Sequence, residues 1–282
     1  MTMILVAHDL SARSDRALAR ALRLARQTGR SLRLISVVDD DLPGAALARR
    51  LTEAEALLDQ ALVVAGARSA RIAVTRAAIA GDPAQAIPAE AHGEHAGLIV
   101  LGLHRPRPFL DALRETTMER VVRLIRRPVL LVRDAAAQDY ARVLIAVSFS
   151  AACAAAVQAA RMVAPAADLR AFHALHIPFV GLTGEGPGSA MDRAMTREAQ
   201  AMCDEWTTRA PLPEGMAATR IDTGSFGQLM QAHIAEFRPD LLALGAHTRG
   251  GLALFALGST TAGLIRDPPC DLLVARATPL VL

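Results

Sequence analysis

The stretch Leu98-Ile99-Val100-Leu101-Gly102 has a counterpart in Leu241-Leu242-Ala243-Leu244-Gly245, 143 positions further on. Each is a short apolar run closed by glycine, the pattern of a strand buried on both faces. The same offset pairs His104 with His247, Thr116 with Ser259 and Arg133 with Arg276. Near the start, Ile4-Leu5-Val6-Ala7 pairs with Val143-Leu144-Ile145-Ala146 at an offset of 139. Nearly constant spacing over the whole length marks a duplicated unit. The 282 residues therefore divide into two domains, 1–136 and 137–282, with the Ala-rich polar segment Asp134–Tyr140 as linker.

Working outward, the first copy alternates strand-like runs with helical patterns. The strands are expected at Met3–His8, Leu32–Val38, Ile72–Ala77, Leu98–Leu103 and Val129–Arg133. Ser14 is expected to cap a helix that runs to Gln27 and stops at Gly29. Ala45–Ala67 reads as a long helix, Asp82-Pro83 as the opening of another, and Thr116–Ile125 as the last. The second copy repeats the order, with strands near Val143–Val147, Leu169–Ala174, Ala218–Asp222, Leu241–Leu244 and Leu272–Ala275. Apolar strands joined by right-handed helical crossovers predict an α/β fold, a doubly wound, Rossmann-like parallel sheet of five strands in each copy. Such sheets bind ligands beyond the strand C-termini, where strand order reverses. The residues to inspect follow each first and fourth strand.

Composition excludes several chemistries. All 31 positive side chains are arginine, so no lysine is present for a Schiff base or a Walker-type phosphate contact. The net charge of +3 lacks the concentrated basic face of a nucleic-acid protein. Arg16, Arg20, Arg23, Arg26 and Arg30 form one helix face, expected to be solvated, opposite the apolar Leu18, Leu22 and Ala25. Cys153, Cys203 and Cys270 are widely spaced and odd in number, as for buried reduced thiols of a cytoplasmic protein. No apolar run approaches ~18 residues, so no membrane span is expected. Met191, Met195 and Met202 fall at helical spacings and read as packing residues. The pairs His92/His95 and His173/His176 lack the carboxylates or thiols that would complete a metal site.

The loop Gly245-Ala246-His247-Thr248-Arg249-Gly250-Gly251, followed by Gly258-Ser259-Thr260, resembles the phosphate loop of the universal stress protein family. Gly102-Leu103-His104-Arg105 through Glu115-Thr116-Thr117 has the same layout in the first copy. Asp9 after the first strand, Gly81-Asp82-Pro83 and the endings Arg127–Val132 and Pro269–Val274 also match the family. The resemblance implies an adenine nucleotide such as ATP as ligand. Asp9 would hold the ribose or adenine side, and backbone at Val37 and Ile177 the adenine. Loop N–H groups at Gly102, Gly245 and Gly258, the hydroxyls of Thr116, Thr117, Ser259 and Thr260, and His247 would meet the phosphates. Without a ligand, Asp9, Ser259 and Thr260 would serve as caps of the following helices.

Both copies depart from the family pattern. The first has Arg105 and Glu115 at glycine positions; the second has Thr248 at one, and Ser148 where the aspartate is expected, followed by Phe149. Nucleotide binding is accordingly expected to be weak, confined to one copy or absent. The second copy is favoured, because a repulsive carboxylate costs more than one missing hydrogen bond. The resemblance further implies a non-catalytic, cytoplasmic stress-response module acting through protein partners. A nucleotide-free scaffold is the alternative, and a slow ATPase a third reading that lacks an evident nucleophile–base pair. The resemblance also implies that single-domain relatives pair through their final strands. Here Val129–Arg133 and Leu272–Arg276 would pair antiparallel within one chain, an intramolecular pseudo-dimer that covers a sheet edge, with further dimerisation left open.

Overall fold

The computed structural model describes residues 3–103, 116–176, 188–210, 212–246 and 259–277. In the first repeat the elements are β1 Ile4–Ala7, α1 Ala12–Thr28, β2 Leu32–Val38, α2 Gly44–Val64, β3 Val74–Ala80, α3 Pro83–Gly93, β4 Leu98–Gly102, α4 Thr117–Leu124 and β5 Val129–Val132. In the second they are β6 Arg142–Ala146, α5 Ala151–Val163, β7 Asp168–Leu175, α6 Ala190–Arg209, β8 Arg220–Thr223, α7 Phe226–Phe237, β9 Leu241–Gly245, α8 Ser259–Arg266 and β10 Asp271–Ala275. The described chain forms two compact units. One joins the first repeat to α8 and the Asp271–Val274 part of β10; the other holds β6 to β9 with their helices.

In the first unit the strand order is β3-β2-β1-β4-β5, all parallel, and β10 lies antiparallel on β5 with Leu272 opposite Leu131 and Val274 opposite Val129. The antiparallel pairing of the two final strands is thus present within one chain. The path moves outward from β1 to β3, then returns to β4. The winding reverses between β1 and β4, and that reversal opens a crevice at the strand C-termini. Strand side chains of both parities, such as Leu5 and Val6 or Ile99 and Val100, are fully buried, so helices cover both faces. In the second unit the order is β9-β6-β7-β8, again parallel, with the reversal between β6 and β9. No helix among the described residues is long and apolar enough to cross a membrane.

Local signals account for most element ends. Gly29 closes α1 in the left-handed region at φ 64°, where glycine carries no Cβ strain. Asp82 caps α3 through Ala84 N–H, with Pro83 in the first turn. Several ends shift from the sequence reading, two of them for a visible reason. Ser11, not Ser14, precedes α1; Ser14 lies inside the first turn and turns its hydroxyl to Asp9. The third strand starts at Val74, because a short 3-10 turn over Ala67–Ala70 and a left-handed Arg71 at φ 52° intervene after α2.

The arginine face of α1 is solvated only in part: Arg26 is exposed, whereas Arg20 is buried. Arg20 is only 5% exposed. Its Nε lies 3.4 Å from Asp271 Oδ2 on β10, and its Nη1 donates to the Gln138 carbonyl at 2.7 Å. Arg23 pairs with Asp139. Asp271, 1% exposed, also accepts the Arg133 and Asp134 backbone N–H groups at 2.8 and 3.0 Å. The linker and the last strand cover the Arg20 and Arg23 part of this face, which a helical spacing cannot reveal. The methionine reading also changes. Met191 and Met202 are 50% and 51% exposed, while Met195 alone packs on the buried pair Leu175 and Ala199.

Removing one partner of a buried ion pair strands the other charge. Arg20→Met is expected to lower stability by about 3–5 kcal/mol in urea unfolding. Combined with Asp271→Asn, which keeps an acceptor for Arg133 and Asp134, the loss should fall short of the summed single losses by at least about 1 kcal/mol.

Candidate functional site

The site grows from the residues that leave β1. His8 is buried, and Asp9, Leu10 and Ser11 form the turn into α1. Asp9 Oδ1 accepts the Ser11 N–H at 3.1 Å and the hydroxyls of Ser11 and Ser14, and Asp9 N–H donates back to Ser14 Oγ at 3.1 Å. Burial alone would raise the Asp9 pKa, but the hydrogen bonds from Ser11 and Ser14 outweigh it and hold the carboxyl below its ordinary value. His8 Nδ1 accepts the Leu10 N–H at 3.0 Å, and Nε2 faces Asp15 Oδ1 at 3.1 Å. Leu10 itself is left-handed at φ 61°, a rare state for a branched side chain.

This turn forms one wall of a cavity of about 400 Å³ at the β1/β4 reversal. That volume falls in the range of small-molecule sites. Val37 from β2 and Leu101 and Gly102 from β4 line it from the sheet. Pro83 and Ile87 of α3 and the Thr116–Met118 start of α4 close the other side. Among the expected residues, Asp9, Val37, Gly102, Thr116 and Thr117 therefore meet around one space.

Their roles are more structural than the loop pattern suggested. A Cβ on Gly102 would stand 2.7 Å from the Arg13 carbonyl oxygen and 2.9 Å from Ser14 N. The glycine is required because the end of β4 presses on the backbone of α1. Gly245 repeats this: its Cβ would lie 2.6 Å from Cys153 N and 2.8 Å from the Ala152 carbonyl oxygen of α5. Thr116 forms a capping box with Glu119. Its hydroxyl accepts Glu119 N–H at 3.2 Å, and its own N–H donates to Glu119 Oε2 at 2.7 Å. Glu119 is buried and is met by Arg266 of α8, whose Nε lies 2.9 Å from Oε1. Thr117 and Met118 contribute the first two N–H groups of α4, which no intrahelical carbonyl can satisfy.

In the second repeat Ser148 stands at the Asp9 position. Its N–H points at Cys153 Sγ at 3.2 Å, as Asp9 N–H points at Ser14 Oγ. Phe149 repeats the positive φ of Leu10, at 54°. Its ring lies 4.4 Å from His173 and 6.1 Å from Trp206, centroid to centroid. Strand register makes Ala174 the counterpart of Val37, since Ile35 pairs with Ala7 and Phe172 with Ala146. Ile177, His247 and Gly258 lie outside the described residues, as do His104, Arg105 and Glu115. Ser259 and Thr260 open α8, with their side chains outside the description. His8 was missed by the sequence reading, although it immediately precedes Asp9 at the end of the first strand.

The universal stress protein family model matches the chain twice, over residues 1–133 and 139–276. A solved universal stress protein from Archaeoglobus fulgidus is 20% identical, with a TM-score of 0.68, covering 98% of this chain and 97% of its own. A putative universal stress protein from Pseudomonas aeruginosa, also 20% identical, has a TM-score of 0.67 over 98% of this chain and 93% of its own. Both are similar in fold. No curated protein matches the sequence.

If the two glycines serve helix–strand contact, each should behave as an overpacked site when enlarged. Gly102→Ala and Gly245→Ala are each expected to cost about 1–3 kcal/mol in chemical denaturation, with or without nucleotide.

Proposed function

The chain belongs to the universal stress protein family, and on that premise we propose that its first repeat binds an adenine nucleotide in the cavity beside Asp9. One observation carries the reading. A ribose-type acceptor, an apolar wall and a helix N-terminus surround a single cavity at the β1/β4 reversal. Asp9 Oδ1 takes the donors of the turn, which leaves Oδ2 as the acceptor for a ribose hydroxyl. Val37 and Ile87 offer an apolar bed for the base. The phosphates would meet the Thr117 and Met118 N–H groups, where the helix dipole favours anions. Glu119 would oppose them, but Arg266 offsets its charge.

The first repeat is preferred over the second because Ser148 replaces the carboxylate there and its hydroxyl rests 3.5 Å from Cys153 Sγ. We read the module as one that binds and signals through protein partners in the cytoplasm and does not turn over its ligand. The buried thiols of Cys153, Cys203 and Cys270 suit a reducing compartment.

Titration calorimetry of the full chain with ATP and Mg²⁺ is expected to give one bound nucleotide per chain. Asp9→Ala should weaken binding at least about tenfold, the worth of one charge-assisted hydrogen bond. Val37→Trp, which fills the cavity without touching the turn, should abolish it. A folded protein that gives no heat and releases no nucleotide on denaturation would overturn the proposal in favour of a nucleotide-free scaffold.

A further inference from the structure

We infer that His8 is a proton-operated positioning residue that loosens the wall of the first repeat's cavity when its ring becomes charged. The ligand part of this inference rests on the nucleotide reading; the movement of the turn does not.

The hydrogen bonds fix the tautomer. Leu10 N–H donates to His8 Nδ1 at 3.0 Å, so that nitrogen carries a lone pair and the proton sits on Nε2. Nε2–H then donates to Asp15 Oδ1 at 3.1 Å. The His8 residue is 3% exposed, whereas the Asp15 side chain is 58% exposed. A non-glycine residue at positive φ, as Leu10 is at 61°, costs on the order of 1–3 kcal/mol and needs its surroundings to hold it. The lone pair of Nδ1 is one such hold. A second proton on the ring turns this acceptor into a donor that faces another donor, so the Leu10 bond is lost. Asp9 and Ser11 flank Leu10, and Asp9 lines the cavity.

Among the described residues, the charged groups that act on the ring are two. Asp15 on α1 and Asp9 on the turn both favour the charged imidazole. Among the described residues, the cavity surfaces from β2, β4, α3 and α4 are Val37, Leu101, Gly102, Pro83, Ile87, Val121 and the Thr116–Met118 segment, none with an ionisable side chain. Burial is the largest influence and lowers the His8 pKa from the ordinary 6.5; Asp15 and Asp9 oppose it without cancelling it. The sign follows. A depressed folded pKa means that the neutral ring contributes stability above pH 6.5, and the contribution is lost as pH falls through the folded value. The second repeat supplies the control. Val147 occupies the His8 position, and Phe149 still adopts φ 54°, so that turn forms without an imidazole at this position, although the His173 ring lies beside it, with Nδ1 2.9 Å from the Val147 carbonyl oxygen.

The test uses the full chain. Backbone amide and histidine NMR signals are followed between pH 7.5 and 5.5 without ligand. The Leu10 amide, with Asp9 and Ser11, is expected to shift in step with the His8 ring at a midpoint below 6.5, and these amide shifts should vanish in His8→Val. A Leu10 amide that stays fixed while His8 titrates, or one that still titrates in His8→Val, would sink the inference. Calorimetry with ATP and Mg²⁺ across the same range reads the coupling. The wild-type protein should lose affinity by up to about tenfold per pH unit below the midpoint, beyond any loss shown by His8→Val. Equal slopes in the two proteins overturn the coupling. If neither binds ATP at pH 7.5, the nucleotide reading fails, and the Leu10 amide still decides the fate of the switch.

Discussion

A side chain of any size at position 102 would collide with the carbonyl of Arg13. That contact brings the end of β4 against the first turn of α1, and so fixes where β1 ends and where the sheet reverses. The Asp9 turn, the start of α4 and the cavity between them all take their positions from it. The second repeat holds the same constraint between Gly245 and α5. A glycine that resembles part of a phosphate loop is therefore already committed to the fold. On the proposed reading, anion recognition would fall to the N–H groups at the start of α4 and not to this glycine.

The first unit is also completed electrostatically by the tail of the second repeat. Arg266 on α8 neutralises the buried Glu119 next to the cavity, and Asp271 on β10 neutralises Arg20 under the linker. Both pairs run one way. Position 128, the repeat-one counterpart of Asp271, is proline, and position 262, the counterpart of Glu119, is alanine. The edge of β5 is thus matched to this chain's own last strand and not to a copy of itself. A buried guanidinium set opposite proline would keep its desolvation cost with no compensating charge.

The fold was legible because its signals are local or periodic: apolar runs at a repeating offset, Gly29 as a stop, Asp82-Pro83 as a start. What escaped depends on residues far apart in sequence. Arg20 looks solvated until β10 arrives, some 250 positions later. Met191 and Met202 share a helical spacing with Met195, yet only Met195 meets a strand. Asp9, Val37, Gly102, Thr116 and Thr117 were chosen by the reversal rule and do gather around one cavity, but the sequence could not show that Gly102 touches a helix or that Thr116 is engaged by Glu119. His8 could have been found by extending the same rule one residue back, since the last position of a strand borders the crevice as surely as the first position after it.

The two repeats keep one backbone and differ in chemistry. Leu10 and Phe149 hold the same left-handed conformation without glycine, and Asp9 and Ser148 aim their N–H groups at the same neighbour position, an oxygen in Ser14 and a sulfur in Cys153. Strain that persists in both copies, whatever the side chains beside it, belongs to the strand–helix junction and not to a ligand. The junction therefore sets where a functional group will stand, and the residue placed there decides what it does. In the first repeat that residue is a carboxylate beside a buried histidine; in the second it is a hydroxyl beside a thiol, with an aromatic ring tilted against the histidine of the next strand. The duplication thus keeps one junction geometry on two scaffolds while the groups placed on it differ.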